Sequence, residues 1–268
     1  MTFLLEDAGF VVNAVRIARE AGAIALKDFR DGGTTTAAVE FKDGGSPVTD
    51  ADKRVDDFLR AQLSAAAPEA GWLSEETADS RERLTRELVF IVDPIDGTRA
   101  FMAGDPRWGV CIALVKGGKP VLGIVHMPAL ALTYAARIGN GATLNGKPIA
   151  VRPSAPPDGA LVAGPPKLLR ALSDGGLAFR AEPRIPSLAY RLVRVADGGL
   201  DAGIASTNAC DWDIAAADIV LQEAGAQLLG LDRCPVIYNR TEIRHGALFA
   251  AAPWFHDSLA NGLRDIGT

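Results

Sequence analysis

The chain has 268 residues, of which 48% are hydrophobic and 23% are charged, and its formal net charge is −5. This composition supplies a buried core for one large domain or two ordinary ones, and it excludes a disordered tail. An acidic chain without a basic block is not expected to bind nucleic acid or an anionic membrane. Any phosphate that it binds would therefore need a metal ion or backbone amides to offset the negative charge.

The N-terminus and the cysteines predict a cytoplasmic protein. Residues 1–7 lack the basic region of a signal peptide and become acidic early. No uncharged apolar run reaches the roughly 18 residues of a membrane span. The cysteines are odd in number, far apart and without a C-x-x-C pair, which favours reduced thiols over a disulfide framework or a zinc ribbon. They are Cys111, Cys210 and Cys234.

The first segments of the chain predict two helices with a loop region between them. Apolar residues recur near the 3.6-residue helical period over 4–30, and the Gly- and Thr-rich segment 31–48 is typical of strand and loop. Thr49 is a candidate N-cap for a helix that ends before Pro68. We interpret the charged segment 79–87 as a surface helix or loop.

A mostly antiparallel sheet is predicted next. The apolar, β-branched run 88–92 is typical of a buried strand. Segments 109–115 and 121–126 predict a hairpin, and the turns at 139–141 and 145–146 continue the sheet.

The pattern changes after a linker-like segment at 153–158. Short strands then alternate with helices, which indicates a second, α/β domain. We therefore predict an N-terminal α+β domain over 1–152 and a C-terminal α/β domain over 153–268. The second domain is expected to carry Asp213 and the elements that determine substrate specificity.

Two acidic residues stand where the predicted buried strand ends. Asp93 and Asp96 flank Pro94, which stiffens the turn, and Gly97 permits a close backbone approach. Thr98 begins a predicted helix, whose free N–H groups favour an anion. Paired carboxylates beside such a helix indicate phosphate binding bridged by a hard cation such as Mg²⁺. A simple turn is the alternative, because Asp, Pro and Gly are common turn residues.

Four further acidic residues have similar alternatives. The neighbouring Glu75 and Glu76 repel each other unless a cation lies between them, but a solvated loop also accounts for them. Asp213 lies in the first turn of an apolar helix, where the helix dipole favours an acid. Asp52 with Thr49 resembles a capping box.

Four segments together resemble the inositol monophosphatase superfamily, which includes inositol monophosphatases, histidinol-phosphate phosphatases and 3′(2′),5′-bisphosphate nucleotidases. They are GSPVTDAD (45–52), SEE (74–76), VDPIDGT (92–98) and WDIAA (212–216) with EAG at 223–225. The resemblance covers nearly the whole chain and implies a Mg²⁺-dependent phosphomonoesterase. It also implies an α+β to α/β fold, a layered αβαβα sandwich.

The resemblance implies two to three Mg²⁺ ions held mostly by carboxylates. The first ion would take Glu75, Asp93 and the carbonyl of Ile95. The second would take Asp93 again, with Asp96 and Asp213. A third, looser ion is implied where Glu75 approaches a mobile loop, whose residues are Lys42 and Asp43.

The resemblance also implies the catalytic groups. Thr98, paired with Asp52, would orient the attacking water, and Glu75 would support catalysis at the metal site. The backbone of Gly97 and Thr98 would hold the phosphate. The chemistry is consistent with metal activation of water and stabilisation of the attacking and leaving oxygens by two cations.

The substrate is less constrained than the chemistry. Animal inositol monophosphatases have an acidic residue at the position of Ser206, and the Ser-Glu-Glu at 74–76 resembles bisphosphate nucleotidases. Arg191, with nearby Arg184 and Arg194, is a candidate for binding a second phosphate. A 3′(2′)-phosphoadenosine 5′-phosphate-like substrate is therefore favoured over inositol 1-phosphate or histidinol phosphate.

Other predictions concern function class and assembly. A non-catalytic protein-binding regulator is the alternative of another class, although such a protein would not need the full set of carboxylates. A dinucleotide-binding protein is excluded because no G-x-G-x-x-G opens a helix after a strand. The resemblance implies a homodimer, with 109–151 as the predicted interface. The three histidines lack metal-ligand spacing and are interpreted as structural or surface residues.

Overall fold

The computed structural model of the protein describes residues 8–264, which form seven α-helices and 14 strands. The helices are α1 (Ala8–Leu26), α2 (Asp50–Ala66), α3 (Thr98–Met102), α4 (Pro166–Asp174), α5 (Leu188–Ala196), α6 (Asp211–Ala224) and α7 (Pro253–Arg264), with 3₁₀ turns at Arg81–Thr85 and Pro128–Leu130. The strands are β1 (Val39–Phe41), β2 (Pro47–Thr49), β3 (Gly71–Ser74), β4 (Leu88–Asp96), β5 (Gly109–Lys116), β6 (Lys119–Met127), β7 (Leu132–Arg137), β8 (Ala142–Leu144), β9 (Lys147–Ile149), β10 (Leu161–Ala163), β11 (Arg180–Ala181), β12 (Ala202–Ala205), β13 (Gln227–Gly230) and β14 (Leu248–Ala251).

The helices and two large sheets form five layers. Helices α1 and α2 cover one face of a seven-stranded sheet, and α5 and α6 lie between that sheet and a five-stranded one. Helices α4 and α7 cover the outer face of the smaller sheet. The predicted αβαβα sandwich is therefore confirmed.

The seven-stranded sheet has the order β3-β4-β5-β6-β7-β8-β9, and all pairs except β3 with β4 are antiparallel. Both faces of β4 are buried. Its Val89 and Ile91 pack with the layer of α5 and α6, whereas Phe90 and Val92 pack with α1 and α2. Burial on both faces explains why the sequence is continuously apolar here instead of alternating.

The smaller sheet has the order β11-β10-β12-β14-β13 and is mixed. Strand β10 runs parallel to β11 and β12, whereas β14 runs antiparallel to β12 and β13. Helix α6 is buried around most of its circumference, because it lies between the two sheets. It approaches β6 closely: a Cβ at Gly123 would lie 2.3 Å from the carbonyl oxygen of Ala216.

Helices α5 and α6 belong to the C-terminal domain of the sequence prediction, yet they share one apolar core with the seven-stranded sheet. The division between residues 152 and 153 therefore stays a prediction from composition. The described residues do not include segment 1–7. The prediction on a signal peptide and the first four residues of the predicted helix over 4–30 both fall in that segment. Within residues 8–264, no helix has the length and hydropathy that crossing a bilayer requires.

One side chain of the predicted surface segment 79–87 is buried. Arg83 is 1% exposed, because its guanidinium donates to both carboxylate oxygens of Asp79 and to the side-chain oxygen of Asn239. It also donates to the main-chain oxygen of Arg240. The hydrogen bonds of this arginine thus connect the segment after β3 to the loop before β14.

Candidate active site

Three carboxylates from two distant segments converge at the end of β4. Asp93 and Asp96 lie in the last four residues of that strand, and Asp213 lies in the first turn of α6. One oxygen of each carboxylate lies within 4.8 Å of the others. The packing of α6 against the sheet therefore places Asp213 beside two carboxylates from which more than a hundred positions of sequence separate it.

Burial and mutual repulsion oppose the ionisation of this group. Burial, followed by the charge of Glu75 and of the other two carboxylates, raises the pKa of Asp93 well above its ordinary value. Burial and the charge of Asp96 raise the pKa of Asp213 to about 8. A divalent cation would relieve this repulsion, and oxygen-only donors match the preference of Mg²⁺. The residues present therefore fit the cation that the sequence predicted.

Asp96 is held by the N-terminus of α5. Its carboxylate accepts hydrogen bonds from the hydroxyl of Ser187 and from the backbone N–H groups of Leu188 (3.2 Å) and Ala189 (2.8 Å). Burial raises the pKa of Asp96 to about 6, and these hydrogen bonds limit the rise. The start of α5 thereby fixes the orientation of one predicted metal ligand.

Glu75 lies beside the three-carboxylate group but is bound to a cationic side chain. The Nζ atom of Lys42, in the β1–β2 hairpin, donates to Glu75 Oε1 at 3.0 Å and to Glu76 Oε1 at 2.8 Å. Burial opposes the charge of Lys42, but the two glutamates outweigh it, and the pKa of Lys42 is raised. Asp43 is exposed in the same hairpin and makes no hydrogen bond or ion pair within residues 8–264. The mobility of this loop stays a prediction.

Thr98 lies between two acceptors. Its Oγ1 is 3.3 Å from Asp52 Oδ1 and 3.2 Å from the carbonyl oxygen of Ile95. The other oxygen of Asp52 accepts from the N–H (2.7 Å) and the hydroxyl (2.6 Å) of Thr49, which is the predicted capping box. The capping box is therefore confirmed, and the second oxygen of Asp52 is hydrogen-bonded to Thr98. The catalytic role of this pair stays a prediction. Gly97 has φ +93°, a left-handed conformation that turns the chain from β4 into α3.

A small cavity of about 260 Å³ opens beside Asp213 and is lined by Arg191 and Ser206. The guanidinium of Arg191 donates to the carbonyl oxygens of Ile204 (2.8 Å) and Ile185 (2.7 Å). Its Nε is buried without a partner among the described residues. Burial lowers the pKa of Arg191, and the charge of Asp96 opposes that change. Arg191 is thus a rigid positive charge at the edge of the carboxylate site.

Two nearby arginines behave differently from Arg191. Arg194 stacks over the ring of Tyr190 and pairs with Asp197, and it does not line the cavity beside Asp213. Arg184 is exposed, and its carbonyl oxygen accepts from Arg107. Only Arg191 among these three candidates therefore reaches the site.

A second cavity of about 880 Å³ adjoins the first and shares Ser206 and Thr207 with it. Its lining includes His245, whose Nε2 lies 2.7 Å from Asp211 Oδ1. Sequence reasoning missed this pair, because 34 residues separate its members. It also missed Ser187, which is readable from the sequence as a helix N-cap but not as a donor to Asp96.

Comparison with known proteins gives consistent results. A model of the inositol monophosphatase family matches residues 8–266. The chain is 33% identical to a 3′(2′),5′-bisphosphate nucleotidase CysQ of Aggregatibacter actinomycetemcomitans over 90% of this chain and 89% of the other. It is 34% identical to a histidinol-phosphatase of Mycobacterium tuberculosis, over 78% and 86%. The solved structure of extragenic suppressor protein suhB from Bartonella henselae superposes with a TM-score of 0.83 at 25% identity, covering 96% of this chain and 99% of the other.

Proposed function

Since the chain belongs to the inositol monophosphatase family and is therefore a phosphoric monoester hydrolase, we propose that it uses Mg²⁺ to release phosphate from a small phosphorylated metabolite. The family match confirms the resemblance inferred from the sequence motifs. The observation that carries the proposal is the buried three-carboxylate group beside a cavity of about 260 Å³.

The predicted metal ligands divide into two sets that share Asp93. Glu75, Asp93 and the carbonyl of Ile95 would hold one ion. Asp96 and Asp213 would complete the second set. Bound Mg²⁺ would offset the charge of the phosphate oxygens and lower the pKa of water. A third ion at Glu75 would have to displace the ammonium group of Lys42, which contacts that carboxylate at 3.0 Å.

Thr98 and Asp52 are proposed to orient the attacking water. A threonine hydroxyl has one proton to donate and two lone pairs that accept. When Thr98 donates to Asp52, its lone pairs are available to accept a hydrogen bond from water. The backbone N–H groups of Gly97 and Thr98, at the start of α3, are proposed to hold phosphate oxygens.

The favoured substrate resembles 3′(2′)-phosphoadenosine 5′-phosphate. Two features support it: the rigid guanidinium of Arg191 beside the site, and a cavity of about 880 Å³ next to it that is large enough for a nucleoside. Ser206, where the two cavities meet, is polar but uncharged. Inositol 1-phosphate and histidinol phosphate are the alternatives, and the names of the relatives include both nucleotidase and histidinol-phosphatase.

A phosphate-release panel with Mg²⁺ tests the proposal. It should compare 3′-phosphoadenosine 5′-phosphate, inositol 1-phosphate, histidinol phosphate and fructose 1,6-bisphosphate. We expect kcat/KM for the nucleotide to exceed that for inositol 1-phosphate by at least about tenfold, which corresponds to roughly 1.4 kcal/mol. The Asp93→Asn protein, purified identically, controls for contaminating phosphatases and should be inactive. Full activity of the wild type in excess chelator would refute the metal mechanism, and a higher kcat/KM for inositol 1-phosphate would reverse the substrate order.

Three further properties are proposed, the first two of them on the family resemblance. Li⁺ and Ca²⁺ are expected to inhibit the Mg²⁺-supported reaction. A homodimer is expected, and light scattering that gives a stable monomer would reject it. A cytoplasmic location is proposed because all three cysteines are unpaired, one of them exposed.

A further inference from the structure

The segment that carries Glu75 and Glu76 leaves the sheet before it reaches the carboxylate site. Strand β3 ends at Ser74, and its pairing with β4 ends there too, with Ser74 opposite Val92. The ladder therefore fixes the backbone only up to the residue before Glu75. The orientation of Glu75 depends on contacts outside the ladder.

One carboxylate of α2 holds this segment on both sides of the two glutamates. The hydroxyl of Ser74 donates to Asp56 Oδ1, and the hydroxyl of Thr77 donates to Asp56 Oδ2, each at 2.5 Å. The oxygen of the Ser74 hydroxyl also accepts from the backbone N–H of Glu76 at 3.3 Å. The four residues from 74 to 77 are thus bound to the helix at both of their ends.

The burial of Asp56 makes these contacts costly to lose. Asp56 is 5% exposed and Ser74 is 2% exposed. Asp56 forms no ion pair within residues 8–264, so the two hydroxyl groups supply the hydrogen bonds that its carboxylate receives there. A hydrogen bond to a carboxylate is roughly twice as strong as one between neutral groups. Removal of this carboxylate would leave the buried hydroxyl of Ser74 without its acceptor.

Helix α2 is a rigid support for the segment after β3. Val55 and Leu59 are fully buried in the core that α2 shares with β4. Asp56 lies one helical turn after Asp52, so the two carboxylates lie on the same face of the helix. Asp52 is hydrogen-bonded to Thr98, and Asp56 is hydrogen-bonded to the segment after β3. One helix face therefore contacts two separate parts of the site.

Glu75 is the residue through which Asp56 would act on the site. Burial, and then the charge of Glu75, raise the pKa of Asp93, which places Glu75 close to the three-carboxylate group. The Oε1 atom of Glu75 accepts from Lys42 at 3.0 Å. Its Oε2 atom makes no hydrogen bond within residues 8–264 and is the oxygen available to a cation.

We propose that Asp56 is a positioning residue, which holds Glu75 in place as a ligand of the Mg²⁺ ion that Asp93 also binds. The inference rests on the proposed Mg²⁺-dependent function and gives a role to a residue outside the predicted ligand sets. Loss of a group that orients metal ligands lowers metal affinity or activity by about 10–100-fold. Asp56 acts here through the backbone of residues 74–77 and touches neither metal nor substrate.

Calorimetric titration of the metal-free protein with Mg²⁺ tests this role. Glu75→Gln identifies the Mg²⁺ Kd that depends on Glu75. We expect Asp56→Ala to raise the same Kd about tenfold and to change the Kd of the other ion less than about threefold. The double variant Asp56→Ala/Glu75→Gln should bind Mg²⁺ like Glu75→Gln alone, because a residue that acts only through Glu75 has no effect once that carboxylate is lost.

Further substitutions separate positioning from charge. Asp56→Asn keeps one acceptor oxygen, and its amide can donate to the second hydroxyl, so its Kd should lie between those of wild type and Asp56→Ala. Asp57→Ala removes the same charge from the exposed side of α2 and should leave both Kd values unchanged. Should Asp56→Ala not fold, Thr77→Val removes one hydroxyl with little change of shape and should raise the Glu75-dependent Kd by about three- to tenfold.

The outcomes separate this inference from the proposed function. A wild type that binds no Mg²⁺ would contradict the proposed function itself. Wild-type Kd values in Asp56→Ala, even with a lower Tm, would make Asp56 purely structural and overturn the inference alone, and so would unchanged Kd values in Thr77→Val when it replaces that variant. Equal Kd values for Asp56→Asn and Asp56→Ala would assign the effect to charge. A double variant that binds Mg²⁺ more weakly than Glu75→Gln would show that Asp56 does not act through Glu75.

Discussion

The carboxylate site should make the metal-free protein less stable as the pH rises. Burial and the charge of Asp96 raise the pKa of Asp213 from 3.8 to about 8. Between these two values the folded protein binds more protons than the unfolded chain, so the free energy of unfolding falls as the pH increases. The stabilisation that comes from the protonated Asp213 is complete below about pH 4 and is lost as the pH rises past about 8.

The expected size follows from the same pKa. Each pH unit between the two pKa values lowers the free energy of unfolding by about 1.36 kcal/mol. The proton equilibrium of Asp213 therefore lowers it by about 4 kcal/mol between pH 5 and pH 8. A change of 1 kcal/mol shifts Tm by about 2–4 °C in a chain of this size, so the expected fall is about 8–16 °C. Mg²⁺ at a hundred times its Kd would restore about 2.7 kcal/mol at pH 8, and less at pH 5, where the carboxylates are protonated.

Thermal unfolding in chelator or Mg²⁺ at pH 5 and pH 8 measures both effects. The Tm of Asp213→Asn should depend less on pH than that of the wild type. Subtracting the two Tm curves removes the contribution of other titrating groups such as His126, since burial lowers the pKa of that residue to about 4 in both proteins. Asp57→Asn, on the exposed side of α2, is the control and should match wild type. The reasoning fails if wild type and Asp213→Asn have the same pH dependence, or if Mg²⁺ raises Tm equally at both pH values.

Three further predictions concern single side chains. Thr98→Ala should slow phosphate release by about 10²–10⁴ while calorimetry shows unchanged Mg²⁺ binding, and a wild-type kcat would contradict the water-orienting role. Arg83→Ala should lower the free energy of urea unfolding by about 1.5–3 kcal/mol, because the part-buried oxygens of Asn239 and Arg240 lose a charged donor. The exposed neighbour is the control: Arg81→Ala should change that free energy by less than about 0.5 kcal/mol. Gly123→Ala should lower the free energy of unfolding by about 1–3 kcal/mol or more, since the new Cβ would lie 2.3 Å from atoms of α6. Gly246→Ala, whose Cβ would have no atom within 4 Å, should leave that free energy nearly unchanged. Equal effects within either pair would refute the packing argument.

Local signals were sufficient for the elements that contribute the carboxylates. The apolar run of β4, the Thr49 cap of α2 and the acidic first turn of α6 all appear where the sequence pattern predicts them. These features depend on periodicity and capping, which act over a few residues. The existence and order of these elements were therefore accessible without coordinates, although β4 continues to Asp96, four residues beyond the predicted apolar run.

The family motifs added the roles of residues that are far apart. Motif resemblance associated Asp213 with Asp93 and Asp96, and the structure brings their oxygens within 4.8 Å. It also paired Thr98 with Asp52, which are hydrogen-bonded. Composition and periodicity alone do not establish such pairs, because neither carries information on which strand end faces which helix.

Only the tertiary structure determined which side chains meet across long separations in the sequence. Asp96 meets Ser187 across 91 residues, Arg83 meets Asn239 across 156, and His245 meets Asp211 across 34. Each side chain has an ordinary local role in the sequence: a cap, a surface charge or an isolated histidine. Their joint roles arise because α5 and α6 are packed between two sheets, and packing is set by the whole core and by no local pattern.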